Sequence, residues 1–373
     1  MPSRQETPGS LGSGIVNAPW LNMVHAFFRR IFLGAFTALS LAASAFAQSL
    51  DQPNADPNAY PDPYSQAENF LKLPPGRVMG STAAVALDRE GHIWVADRCG
   101  ANDCKGSKLD PIMEFDANGN FIKAFGAGKF LFPHGIFIDK DDHIWLTDGH
   151  VGQGIGDDIL EFDRNGNVLR TLGAPGVAGD GEYTFNEPNA VLVAPSGDIF
   201  VTDGHTPDGG NARIIHYDGH GKFVMEWGGH GIGLGRVEVP HALAMDKEGR
   251  LYVADRYNNR IQIFSQNGQL LDIWSQFGRP SGIYIDDNDI LYCTDSESRN
   301  PVEYGFHPGW ARGIRIGSVK DGIVRAFIPD IDPEADRHIT SGGEGIWARN
   351  GVVYSAQVRQ QRVVKYVPKS PLF

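Results

Sequence analysis

The sequence is poor in positive charge and in cysteine. Among its 373 residues, 33 Lys and Arg stand against 45 Asp and Glu, a formal net charge of −12. An acidic chain gives phosphate backbones no electrostatic footing, so nucleic acid is excluded as the expected partner. Disorder is excluded too, because 41% of the residues are apolar and seven Trp and 21 Phe supply a core. Glycine is abundant, at 46 residues with no collagen period. That is the composition of many tight turns, and it points away from a helical bundle and toward an all-β chain.

Residues 29–47, RRIFLGAFTALSLAASAFA, set two Arg before a short, alanine-rich apolar stretch that ends Ala45-Phe46-Ala47. This is the three-part pattern of a secretory signal peptide, and it is too short and alanine-rich for a membrane anchor. The expectation is a signal over 1–47, with Met23 a better start than Met1, and cleavage before Gln48. The mature chain is then periplasmic or secreted, monomeric and without a stable membrane span. Residues 48–67, rich in Pro, Asp and Asn, read as a flexible lead-in to one domain over 68–373.

An internal repeat fixes the architecture. PHGIFIDKDDHIWLTD (133–148), PNAVLVAPSGDIFVTD (188–203), PHALAMDKEGRLYVAD (240–255) and PSGIYIDDNDILYCTD (280–295) align without a gap, and TAAVALDREGHIWVAD (82–97) is a fifth copy. In all five the second residue precedes the closing Asp by 14 positions, and EGIWARNGVVYSAQ (344–357) is a sixth copy one residue shorter. Each copy reads as two antiparallel strands. Segments such as IMEFDANGNFIKAFG (112–126) and RIQIFSQNGQLLDIW (260–274) add a third strand, an Asn-Gly turn and a fourth. Four strands repeated six times describe an all-β, six-bladed β-propeller. The sixth unit stops near Val367 without an outer strand, which a segment near 68–80 is expected to supply, since closure removes the exposed edge.

The first strand of each blade lines the central channel, so the second position of the repeat becomes a ring: Ala83, His134, Asn189, His241, Ser281 and Glu344. His134, His241 and Glu344 fall in alternate blades and converge on the axis. Two His and a carboxylate suit a catalytic zinc with an open position or a non-haem iron, and spacing does not choose between them. The closing Asp97, Asp148, Asp203, Asp255 and Asp295 read as turn acceptors. Behind them Arg98 and Arg256 lie in opposite blades, suited to a small-molecule or peptide substrate that carries a carboxylate. His150 and His205, each in a DGH turn, are general-base candidates at the same rim. Cys99 and Cys104, in RCGANDC, are close enough for a disulfide in an exported chain, and Cys293, inside ILYCTD, reads as a buried free thiol.

PHGIFID, VTDG followed by NARIIHY, and VPHALAMD followed by VADRYNNRIQIF resemble peptidyl-α-hydroxyglycine α-amidating lyase and its bacterial NHL-repeat relatives. The resemblance spans about residues 80–370 and is strongest over blades two to four. It implies a zinc lyase that splits the C–N bond of a carbinolamide to an amide and glyoxylate. Two of the family's three His ligands fall on His134 and His241, and the third falls on Glu344. Its substrate-engaging arginines fall on Arg98 and Arg256, and its catalytic Tyr falls on His205. A structural calcium would use backbone carbonyls at Val85 and Ile136 and an Asp whose place is taken by Gly345, so its donor set is incomplete. Beside this reading stand two others, a metal-dependent hydrolase such as a lactonase and a non-catalytic propeller that binds a protein or ligand.

Overall fold

The computed structural model describes residues 56–67 and 69–370. The expected signal peptide lies outside them. Among the described residues no helix is long and apolar enough to cross a membrane. The described residues form six four-stranded antiparallel sheets, five running in sequence order from the channel outward and the sixth taking its outermost strand from the start of the described chain, with only two three-residue 3-10 turns among them. These are the blades of a propeller. The inner strands are Thr82–Leu87, Pro133–Ile138, Pro188–Val193, Pro240–Met245, Pro280–Ile285 and Gly345–Arg349.

The repeat reappears as hydrogen bonds. At the first hairpin of blades one, two, four and five an Asp, Asp88, Asp139, Asp246 or Asp286, accepts backbone N–H groups across the turn. Its other oxygen takes the Trp94 or Trp145 indole N–H or the Tyr252 or Tyr292 hydroxyl. The closing Asp residues are fully buried turn acceptors, as expected. Asp97 receives Gly80 and Gly100 N–H, Asp148 receives Leu131 and Phe132, and Asp295 receives Arg279 and Ser298. Each ties its second strand to the loop entering the same blade. Six apolar clusters fill the seams between adjacent blades, and Cys293 is a buried free thiol in the seam of blades four and five. Burial of these seams supplies the main driving force.

Closure differs in place from the expectation. The outer strand of blade six is Tyr64–Ala67, paired with Arg362–Pro368 in the register Tyr64↔Pro368 to Ala67↔Lys365. The end of the presumed flexible lead-in is therefore sheet. The segment near 68–80, expected to close the ring, instead has Phe70, Leu71, Leu73 and Met79 against the seam of blades six and one. Their apolar side chains cover that seam, whereas YSQA offers a short edge whose Tyr64 alone is buried.

A second feature aims the ring residues. In five blades the pairing of the first two strands shifts register directly after the first residue, as between Pro188 and Ala190 or Pro240 and Leu243. The ladder skips the ring residue in each, alone in blades one, three and five and together with its successor in blades two and four, and such a bulge re-aims a side chain. Blade six has no shift and pairs Gly345↔Ala356 regularly. Its repeat is one residue shorter because that bulge is missing.

Candidate metal centre

All six ring residues, Ala83, His134, Asn189, His241, Ser281 and Glu344, line one cavity of about 290 Å³ along the channel. His134 Nδ1 donates to the Asn189 carbonyl at 3.0 Å, and His241 Nδ1 donates to the Ser281 carbonyl at 2.6 Å. A carbonyl only accepts, so both rings carry their proton on Nδ1 and leave a lone pair on Nε2. Both Nε2 atoms are buried and have no hydrogen-bond partner. His241 Nε2 lies 3.3 Å from Glu344 Oε1, out of alignment for a hydrogen bond.

The structure adds a third nitrogen. His205 follows Gly204, whose φ of +130° and whose closeness to the Asn211 carbonyl oxygen leave no room for a side chain. That turn carries the imidazole over the ring, where its centroid is 4.9 Å from His134 and 5.4 Å from His241, and its Nε2 is likewise buried and unpartnered. His134, His205, His241 and Glu344 each offer a ligand atom, all within 4.8 Å of one another. The sequence reading makes His205 a base. The geometry sets it beside the candidate ligands, a position hidden in the sequence because it sits in a loop and not at the repeated ring position.

Electrostatics favour ligation. Burial pushes the His134, His205 and His241 imidazoles below their usual range, and the neighbouring His and Arg charges add to this, so all three are neutral near pH 7. Burial pushes Glu344 the other way, but its contact with His241 and the Arg98 charge outweigh this and hold the carboxyl well below the usual range. Three orphaned imidazole nitrogens beside an ionised carboxylate fit a divalent transition metal. The expected calcium donor set lacks its carboxylate, since Gly345 stands at that position. Asp88, His92 and Glu114, with their counterparts Asp139, His143 and Glu161, also cluster, but each His is already paired with its Glu at 2.7 or 2.8 Å.

Around the centre, Arg98 is buried, with its guanidinium carbon 3.6 Å from the Phe132 ring centroid and Nη1 on Asn102 Oδ1. Burial lowers its pKa to about 10. The Cys99–Cys104 disulfide closes the loop that carries Asn102. His150 is exposed and stacks on Phe132 at 3.9 Å. Arg256 places Nη1 3.1 Å from Glu297 and 3.4 Å from Glu344, while its Nε and Nη2 are buried and unpartnered. Glu297 is a residue the sequence reading misses; its one signal is its place two positions after a closing Asp.

Fold and centre together define a six-bladed propeller with a histidine-rich site on its axis. The NHL repeat model matches residues 239–264. The chain is 31% identical to mouse NHL repeat-containing protein 3 over 318 residues, covering 79% of this chain and 82% of that one. It is 30% identical to a probable peptidyl-α-hydroxyglycine α-amidating lyase of Caenorhabditis elegans, covering 62% and 69%. Against peptidyl-glycine α-amidating monooxygenase B of Xenopus laevis it is 28% identical over 325 residues, spanning 78% of this chain and about a third, 34%, of that protein. A gluconolactonase of Xanthomonas campestris superimposes with a TM-score of 0.54 at 15% identity over 84% of this chain and 98% of that one, a likeness of fold alone. The chain belongs to the NHL-repeat family of β-propellers that includes the peptidyl-α-hydroxyglycine α-amidating lyases.

Proposed function

We propose that the protein is a metal-dependent carbon–nitrogen lyase that cleaves an α-hydroxyglycine-type carbinolamide to a primary amide and glyoxylate. The observation that carries this reading is the set of three buried, unpartnered imidazole nitrogens beside Glu344 and the free edge of Arg256. Relatives named as amidating lyases support it. His134, His205, His241 and Glu344 would hold the metal, zinc by the nitrogen-rich donor set with iron as the alternative, and it would supply Lewis-acid polarisation of a substrate oxygen.

The residues of the chain do the rest. Arg256, through Nε and Nη2, and Arg98 hold the carboxylate of the hydroxyglycine. With His205 among the ligands, His150 takes the hydroxyl proton as the C–N bond breaks; partial desolvation of its exposed ring by the stacked Phe132 keeps its pKa below the usual value, so it is neutral and able to accept. The bonding pair leaves with the amide nitrogen, which takes up a proton, and the hydroxyl carbon becomes the glyoxylate aldehyde. Protons and electrons balance with no redox partner. The disulfide supports placement in an oxidising compartment, the periplasm or the medium.

Metal-replete protein is expected to release glyoxylate from N-acetyl-α-hydroxyglycine, and His134→Ala to lose that activity by about 10³-fold or more, the scale on which a group stabilising transition-state charge acts. Acid release from lactones with no glyoxylate would replace the reading with a hydrolase.

A further inference from the structure

Arg256 sits in a buried network that reaches well beyond the centre. Its side chain is 1% exposed. Nη1 is shared between Glu297 Oε1 and Glu344 Oε1. Glu297 is itself buried, and both its oxygens are engaged. Oε1 also accepts the Tyr304 hydroxyl at 3.0 Å, and Oε2 accepts Arg279 Nε at 3.0 Å. Arg279 is 2% exposed. Its guanidinium carbon lies 4.9 and 5.3 Å from the Tyr257 and Tyr304 ring centroids, and Nη1 donates to Asn259. Tyr304 belongs to the excursion between the second and third strands of blade five, which Arg312 pins to the Ser298 carbonyl.

The network settles how Arg256 faces the centre. A buried guanidinium with Glu344 as its one partner would turn its two-nitrogen fork onto that carboxylate, the stronger bidentate arrangement. Glu344 would then lose the oxygen it offers a metal, and Arg256 would have no edge left for a ligand. Glu297 draws Nη1 sideways instead. Burial pushes the Glu297 carboxyl up, but the Arg256 and Arg279 charges outweigh this and keep it ionised. The contact with Glu344 is thereby single, and Nε and Nη2 stay unpartnered.

We propose that Glu297, held by Arg279 and by Tyr304 of the blade-five excursion, is the positioning residue that presents the Nε–Nη2 edge of Arg256 to a substrate carboxylate. This rests on the reading that Arg256 receives that carboxylate. Blade five then contributes specificity for acids over their neutral amides or esters, although its own ring residue is only Ser281.

The test uses the metal-replete full chain, with glycolate binding followed by calorimetry and N-acetyl-α-hydroxyglycine turnover followed by glyoxylate release. Tyr304→Phe removes one hydrogen bond from Glu297 and is expected to raise the glycolate Kd and the KM about fivefold, with the larger share of the loss in KM and not in kcat. Glu297→Gln is expected to raise both by about tenfold or more. In both variants the Arg256 Nε–H resonance, assigned with Arg256→Lys, should move. Glycolate Kd, KM and that resonance all unchanged in a folded variant would overturn the proposal, and if Glu297→Gln fails to fold, Tyr304→Phe decides. Wild-type protein that binds glycolate, loses it in the variants and yet forms no glyoxylate would keep the positioning role and remove the lyase reading.

Discussion

At the scale of single residues, two carbonyl oxygens decide what the ring histidines can do. By accepting the Nδ1 protons of His134 and His241, Asn189 and Ser281 leave both Nε2 lone pairs free within reach of Glu344 and His205. His150 has no such constraint, and the account gives it the proton. Its lowered pKa places the acid limb of kcat/KM below the ordinary histidine value of about 6.5. His150→Gln should remove that limb and cost about 10²–10⁴ in rate, the usual worth of a positioned base. An unchanged rate and an unchanged acid limb in that variant would return the role to another group. His134, His241 and Glu344 are legible in the sequence because they recur at one repeat position. His205 is legible only as a rim histidine, because its approach to the centre depends on the Gly204 turn, and Glu297 is silent because its meaning lies in three partners far apart in the chain.

At the scale of elements, the extra residue in the first strand of five blades is both a fold device and a site device, and blade six reaches the axis without it. Blade two carries a cost of its own. Asp148 and Asp158 face each other across its second and third strands, with Asp157 alongside. Burial, and then the neighbouring carboxylates, push Asp148 and Asp158 up to about 7, and burial and Glu187 push Asp157 to about 6. A folded pKa raised above the unfolded value of about 4 contributes stability that is complete below about pH 4 and is lost progressively as pH rises from there through the folded values of 6 to 7. Asp158→Asn should therefore raise Tm at pH 8 by roughly 2–4 °C, about 1–2 kcal/mol, and by clearly less at pH 5. Calorimetry showing an equal shift at both pH values, or a loss at pH 8, would contradict this. None of it is visible in GDDILEF, where nothing in the sequence marks the two Asp as buried.

At the scale of the whole molecule, the six-fold repeat was the most legible property, because a propeller fixes the place of every inner strand once the period is known. The closing strand was the least legible. YSQA carries no alternation that sets it apart, and its role is fixed by the bare edge of Arg362–Pro368 that it covers. Ring closure brings candidate ligands from four blades to one axis. The central claim is that this axis holds a metal, and elemental analysis of the purified mature chain beside a His134→Ala, His241→Ala double variant tests it most directly. The account predicts one zinc or iron per chain in the first and none in the second, with both still folded; a well-folded wild-type chain that retains no transition metal after exposure to zinc and iron would contradict it.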